Sequence, residues 1–143
     1  MSVRVREAEP GDLAAITDLL GQLGYPAGEQ AVAGRLERLA ADGKSWVFVA
    51  VEDGRVVGLA AVHVMSILER DDLIARVTAM VVDESVRGGG VGTALLDRLE
   101  EVARSEGCDK IDLTTRHERE GAAAFYRGRG FEGTSLRLVK DLG

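Results

Sequence analysis

The sequence predicts an α/β (α+β) domain, in which a mixed, mostly antiparallel sheet is flanked by about four helices. Some segments alternate polar and apolar residues with the period of a strand, and others repeat apolar residues with the period of an amphipathic helix. A run of glycines lies between one such strand and one such helix. No repeat, low-complexity tract or linker interrupts the 143 residues, so we expect a single domain over residues 1–143.

The first half of the chain predicts a strand, two helices and then three antiparallel strands. Val3–Glu7 alternates as a strand, and Asp12 is placed to cap the first helix, which Gly24-Tyr25-Pro26 ends. A second helix covers about Glu29–Ala41. The three strands that follow are Trp46–Glu52, Val56–Met65 and Ile74–Val82, with Asp53-Gly54 as a hairpin turn and Ser66–Asp72 as a polar loop.

The second half predicts alternating helices and strands. Leu95, Leu96 and Leu99 belong to the apolar stripe of a helix that follows the glycines. The predicted elements are a helix over about Val91–Glu106, a strand over Lys110–Thr114, a helix over Glu118–Arg129 and a last strand over Leu136–Leu142. Together with the first half, this order gives one domain with helices packed on a sheet.

Composition and charge exclude several classes of protein. The net charge of −6 argues against nucleic acid as a partner, because a phosphate backbone requires a basic surface. No run of about 18 apolar residues predicts a membrane-spanning helix, and no apolar block predicts a secretory signal. One cysteine, Cys108, with His63 and His117 leaves little material for a zinc site and suits a reducing compartment, so we expect a cytoplasmic protein without a metal.

The most informative segment is Asp83–Thr93, which joins an apolar strand to an amphipathic helix. The first amides of a helix lack partners within it, and the helix dipole favours an anion there. Glycines let phosphate oxygens approach the backbone closely. The nucleotide P-loop is excluded because no lysine lies between Lys44 and Lys110. The dinucleotide fingerprint fails in both of its possible frames, because Thr93 or Leu95 stands where glycine or alanine is required.

Two motifs resemble those of the GNAT superfamily of N-acetyltransferases. The first is Arg87-x-x-Gly90-x-Gly92, which is similar to the acetyl-CoA signature Arg/Gln-x-x-Gly-x-Gly/Ala at a strand–helix junction. The second is the segment 122–126, Ala-Ala-Ala-Phe-Tyr, followed by Gly130-Phe131, which resembles the segment A-x-x-F-Y-x-x-x-G-F. The resemblance covers nearly the whole chain, and it is most specific over Ala75–Phe131.

The resemblance implies a site for acetyl-CoA as co-substrate, without a metal. Backbone amides of the glycine loop would hold the pyrophosphate, and the last strand residues before the loop would pair with the pantetheine arm as an added strand. An amide at about Val82 would stabilise the oxyanion. The implied coenzyme-binding residues are Met80, Val81, Val82, Arg87, Gly88, Gly89, Gly90, Val91, Gly92, Thr93 and, where the family often has asparagine, Arg119.

The resemblance also implies that Tyr126 protonates the departing thiolate, since phenol and thiol have pKa values close enough for proton transfer. The sequence does not identify the base that deprotonates the acceptor amine. Thr78 and Ala79 stand about where many relatives carry a carboxylate. The residues left as candidates, acting through water, are Glu69, Asp71, Asp72 and His63.

The implied reaction transfers an acetyl group from acetyl-CoA to a primary amine, on a small molecule or a peptide, by direct attack in a ternary complex. The missing strand carboxylate motivates an alternative, a non-catalytic acyl-CoA-binding or sensor domain on the same scaffold. A third reading is an interaction module in which the glycine loop binds nothing. A homodimer formed through the exposed last strand is also compatible with the sequence.

Overall fold

A computed structural model describes residues 2–115 and 120–143, in which five strands form a single sheet and four helices flank it. The strands are β1 (Arg4–Glu7), β2 (Ser45–Glu52), β3 (Arg55–Met65), β4 (Leu73–Val82) and β5 (Cys108–Asp112). The helices are α1 (Leu13–Leu23), α2 (Glu29–Asp42), α3 (Val91–Ser105) and α4 (Glu120–Gly128).

The strands lie in the sheet in their chain order, and only the last pair is parallel. β1 to β4 form antiparallel pairs, and Asp53 and Gly54 make the β2–β3 turn with φ values of 54° and 75°, as a tight hairpin turn requires. β5 returns parallel to β4 after α3 has crossed the sheet. The predicted fold class, a mixed and mostly antiparallel sheet with about four helices, is confirmed.

The alternation of strand side chains divides the core between the two faces of the sheet. Phe48 and Ala50 lie on the face that α3 covers, where Leu95 and Leu99 are fully buried. Val49 and its neighbours lie on the opposite face, which α1 and α2 cover. The core on that face consists of Ile16, Leu19, Val32, Val49, Val51, Leu59 and Val81.

The first helix begins differently from the prediction. Pro10–Asp12 forms a short 3₁₀ turn before α1, and the Asp12 carboxylate makes no capping hydrogen bond to α1. Instead it accepts from the amide of Glu9 at 2.7 Å and from both terminal nitrogens of Arg6 at 2.8 and 3.0 Å. Asp12 is 6% exposed, so this bidentate pair fixes the entrance of α1 against β1.

We expect Asp12→Asn to lower the free energy of unfolding by about 1–3 kcal/mol, because Arg6 loses a charged partner in a largely buried place. Pairing with Arg6 holds the pKa of Asp12 below its ordinary value. Its contribution is therefore complete above the pKa of an unfolded aspartate, about 3.9, and is lost as the pH falls through the lower folded value. Urea unfolding at neutral and acid pH measures both effects. Asp18→Asn, at an exposed α1 position, is the matched control and should change little.

Two predicted strands in the second half differ from the structure, and the start of the predicted last helix lies outside the described residues. β5 begins two residues earlier than predicted, at Cys108, and ends at Asp112. α4 is described over Glu120–Gly128, and the first residues of the predicted helix lie outside the described part of the chain. The predicted strand Leu136–Leu142 has no regular structure, and its apolar side chains are 74–93% exposed. None of the described helices is long and apolar enough to cross a membrane.

Candidate active site

The glycine loop bends the chain from the end of β4 into α3. Gly88 and Gly90 have φ values of 86° and 88°, a region that side chains with a Cβ rarely occupy. Gly90 is the residue that precedes α3, and its left-handed backbone sets the turn by which the chain enters the helix. The loop thus requires glycine at these positions for a conformational reason.

The amides at the start of α3 are not consumed by internal hydrogen bonds. Gly89 donates to the carbonyl of Val86 at 3.3 Å, and Ala94 donates to the carbonyl of Gly90 at 3.1 Å. Between them, no acceptor among the described residues bonds the amides of residues 90–93. Four neighbouring donors thus stand unbonded at the positive end of a 15-residue helix, an arrangement of the kind that binds anions in proteins.

Asp83 holds the entrance of this loop in place. Its carboxylate accepts from the amide of Ser85 at 3.2 Å and from Arg55 at 3.0 Å. The bond from Ser85 is the first cause that holds the pKa of Asp83 below its ordinary value. Gln22 of α1 accepts from the amide of Glu84 at 3.0 Å. The loop is thus tied to α1 and to the β2–β3 hairpin before its glycines begin.

The outer edge of β4 is paired over only part of its length. β5 pairs with Leu73–Arg76, and no strand in the described chain pairs with β4 beyond that point. Asp83 donates its amide to Val57 of β3 at 2.8 Å, so the preceding carbonyl, that of Val82, points away from β3. With the period of two, Met80 also presents its amide and carbonyl to the open edge. This edge leads directly into the glycine loop.

Arg87 lies across the junction between the open edge and the loop. Its Nε donates to the outward carbonyl of Val82 at 3.1 Å, and the residue is exposed. The bond holds the guanidinium at the carboxyl end of β4, where the glycine loop begins. The outward carbonyl of Val82 therefore already accepts a hydrogen bond from the side chain of Arg87.

α4 packs on the N-terminal end of α3. The ring of Phe125 lies so close to Gly92 that a Cβ on the glycine would stand 3.3 Å from it. Arg129 donates to Asp97 of α3 at 2.6 Å. Tyr126 is half-buried between Phe125 and Phe131, with ring centroids 5.3 and 5.6 Å away. Arg119, predicted to contact the coenzyme, and His117 lie outside the described residues.

A cavity of about 410 Å³ lies on the opposite face of the sheet, between α1, α2 and strands β2 to β4. At its floor the β3–β4 register shifts, so that Ala61 pairs with Ala79 and Val62 with Val77, and Thr78 is the extra residue of a bulge. The cavity is lined by Ile16, Leu20, Val32, Arg35, Leu36, Leu39, Asp42, Ser45, Val47, Leu59, Ala61, His63, Thr78 and Ala79.

A polar network stands at one end of this cavity. Ser45 Oγ lies 2.8 Å from Asp42 Oδ2 and 3.1 Å from His63 Nδ1. The sequence predicted His63 as one of several candidates, but not Asp42 or Ser45, because the Ser45–His63 contact depends on the register of β2 and β3. Glu69, Asp71 and Asp72 are exposed in the β3–β4 loop and do not line the cavity.

No group of three or more metal-ligating side chains is brought together in the described residues. Cys108 is partly buried at the start of β5, where desolvation raises the pKa of its thiol above the ordinary value. It therefore stays a thiol at neutral pH and is a poor nucleophile.

The sequence of residues 14–131 matches the model of the acetyltransferase (GNAT) family. The chain belongs to the GNAT acetyltransferase family. The match spans α1 to the end of α4 and includes both the glycine loop and the open edge of β4. The resemblance of the two sequence motifs to this family is thus confirmed.

Two relatives of this GNAT protein are named as N-acetyltransferases. It is 35% identical to glucosamine 6-phosphate N-acetyltransferase 1 of Oryza sativa subsp. japonica, an alignment that covers 94% of this chain and 84% of that one. It is 32% identical to aminoalkylphosphonate N-acetyltransferase of Salmonella typhimurium, over 66% of this chain and 61% of the relative. The crystal structure of a transcriptional regulator from Bacillus halodurans superposes with a TM-score of 0.90 at 25% identity, covering 99% of this chain and 100% of that one.

Proposed function

We propose that this protein transfers an acetyl group from acetyl-CoA to a primary amine by direct attack in a ternary complex. One observation carries the proposal: the open edge of β4 leads into the unbonded amides of α3, while a separate cavity reaches β4 from the opposite face. An extended donor can enter along the edge while an acceptor enters through the cavity. The two reactants would then meet at the strand between them.

The open edge and the loop offer the groups that coenzyme A requires. A pyrophosphate fits the amides of residues 90–93, with charge from Arg87 and a hydroxyl from Thr93. The pantetheine arm, which carries amide groups, fits the outward backbone of Met80 and Val82 as an added strand. If the pantetheine arm donates a hydrogen bond to the Val82 carbonyl, Arg87 gives up the bond that it donates there. Arg87 would then be available to the phosphates.

The chemistry consists of positioning and two proton transfers. An outward backbone amide at the open edge of β4, at about Val82 in the segment Met80–Val82, supports the developing oxyanion on the thioester carbonyl. Tyr126 lies on the helix that packs against the coenzyme loop, and we assign it the protonation of the departing thiolate. No step requires a metal.

The acceptor fits a small primary amine. The cavity of about 410 Å³ is mostly apolar, with Arg35, Asp42 and His63 as its charged or ionisable groups. Two relatives are named for glucosamine 6-phosphate and for aminoalkylphosphonates, both of which combine an amine with a phosphorus oxyanion. The test therefore includes amines with and without a phosphorus oxyanion. We propose that the acceptors share a small cationic amine.

Thiol release from acetyl-CoA, with mass spectrometry of the products, tests the proposal. The panel contains glucosamine 6-phosphate, 2-aminoethylphosphonate, ethylamine and a tripeptide with a free N-terminus. We expect turnover with at least one of them and the acetyl mass on its amine. Coenzyme binding by calorimetry without turnover would instead support the acyl-CoA sensor, and absence of binding would contradict both readings.

We further propose that the 143 residues act as one domain in the cytoplasm and that two copies associate through the tail of residues 136–142. The support is the single thiol at Cys108 and the exposed leucines of the tail. Sedimentation at increasing concentration, with a tail-truncated variant, measures the association.

A further inference from the structure

We propose that His63, oriented by Ser45 and Asp42, is the base that takes the proton from the acceptor amine. This inference rests on the proposed acetyl transfer and supplies the base that the sequence leaves open. It stands on a hydrogen-bonded chain of three side chains at the end of the acceptor cavity.

The fold brings the three residues together from separate elements. Asp42 is the last residue of α2, and Ser45 is the first residue of β2. Ser45 pairs with His63 across the antiparallel β2–β3 ladder, so their side chains lie on the same face of the sheet. Asp42 is held in place because its Oδ1 accepts from the backbone amide of Lys44 at 2.7 Å.

The chain fixes which nitrogen of His63 carries a proton. The Ser45 hydroxyl donates preferentially to the charged Asp42, because a carboxylate is the stronger acceptor. Ser45 Oγ then accepts, so His63 must donate from Nδ1. Nε2 is left as the basic nitrogen, and no described residue forms a hydrogen bond with it.

The charged groups around His63 come from several elements. Bonds from the Lys44 amide and the Ser45 hydroxyl hold the pKa of Asp42 below its ordinary value, so it is ionised at neutral pH. Its carboxylate is joined to the imidazole through the Ser45 hydroxyl. Arg35 of α2 and Lys44, which follows α2, are the basic groups on that side, while Arg76, the cross-strand neighbour of His63, is paired with Asp112 at 2.8 Å.

His63 lines the acceptor cavity beside the bulge of β4. It lies two residues along β3 from Ala61, which pairs with Ala79. Two residues on the same face of a strand are about 7 Å apart, so an amine or one water fits between the imidazole and the cavity floor at Ala61. Thr78 also lines this space but is not a base, and Asp42 is the only carboxylate among the described lining residues.

The protons balance through the two groups. The acceptor binds as an ammonium, and one of its N–H protons moves to Nε2 of His63. The freed nitrogen attacks the thioester carbon, its C–N bond forms, and the C–S bond breaks as nitrogen loses a second proton to solvent. The thiolate takes the Tyr126 proton, Tyr126 is reprotonated from solvent, and His63 returns its proton to solvent. The sum is one amide, one thiol and one released proton.

The test compares His63→Gln with the wild type on the panel acceptor that has the highest kcat/KM. We expect kcat/KM at about pH 6.5 to fall by about 10²–10⁴, the usual contribution of a general base. The deficit should shrink as the pH rises, because the free amine fraction grows about tenfold per pH unit below the amine pKa. Acetyl-CoA affinity by calorimetry should not change.

Ser45→Ala provides a second measurement that does not touch the imidazole. We expect a loss of about tenfold at neutral pH, with the same recovery at high pH, because the Nδ1–H tautomer is no longer fixed. Ser105→Ala, at the exposed end of α3, is the matched control. If His63→Gln fails to fold, Ser45→Ala decides alone.

Each outcome bears on one claim. Wild-type turnover with an equal rate in His63→Gln, or a deficit that does not depend on pH, would overturn the base assignment and leave the acetyl transfer intact. Coenzyme binding without turnover of any amine would remove the proposed function and with it this inference.

Discussion

Replacing Tyr126 with phenylalanine is expected to lower kcat by about 10²–10⁴ and to leave acetyl-CoA affinity nearly unchanged. The substitution removes only the hydroxyl, so the ring contacts with Phe125 and Phe131 and the packing of α4 are kept. Without this proton donor, the coenzyme leaves as an unprotonated thiolate or is protonated more slowly by water, and both routes lower kcat. Pre-steady-state kinetics with calorimetry of coenzyme binding separates the two effects.

Tyr25→Phe is the control for this prediction, since Tyr25 is 51% exposed and lies outside both the coenzyme loop and α4. It should leave kcat unchanged. A further control uses a thioester with a more acidic thiol, whose departure needs less proton transfer. The deficit of Tyr126→Phe should diminish with that donor, and an undiminished deficit would contradict the role of general acid.

Gly90→Val is expected to weaken acetyl-CoA binding by about 100-fold, which corresponds to about 2.7 kcal/mol. Gly90 has a φ of 88°, so a β-branched residue must leave this conformation or remain strained. Either way, the arrangement of the four unbonded amides of residues 90–93 is disturbed. Calorimetry with coenzyme A and with its dephosphorylated pantetheine fragment measures the effect, which should be confined to the phosphate-bearing ligand.

Gly107→Val separates this effect from general strain. Gly107 ends α3, has a φ of 84°, and has no neighbour within 4 Å of the position of a Cβ, as is also true of Gly90. Both variants should lose similar unfolding free energy, of about 1–3 kcal/mol. Only Gly90→Val should lose coenzyme affinity, and equal losses in the two variants would remove the loop from the binding site.

Local patterns predicted the parts of this protein that depend on neighbours in the sequence. Period-two strands, the Asp53-Gly54 turn and the amphipathic stripe of α3 are all visible without tertiary information, and the structure contains each of them. The glycine loop was also predictable, because positive φ at a helix entrance limits the choice of residue.

Features that depend on register or on a pairing partner could not be predicted in this way. The contact between Ser45 and His63 exists because β2 and β3 pair in one register out of several, so no local signal joins residues 18 positions apart. The tail of residues 136–142 has the alternating pattern of a strand, but a strand exists only where another edge accepts it. Asp12 was predicted to cap α1 from its position in the sequence, but its carboxylate pairs with Arg6 of β1, a contact that depends on tertiary structure.

The incomplete pairing of β4 has a consequence for handling the purified protein. A ligand that hydrogen-bonds to this exposed backbone binds the native state and not the denatured chain, so its concentration contributes directly to the melting temperature. The ligand also covers an edge that would otherwise be open to intermolecular β-pairing and precipitation. Storage with excess coenzyme should therefore protect the sample against both heat and aggregation.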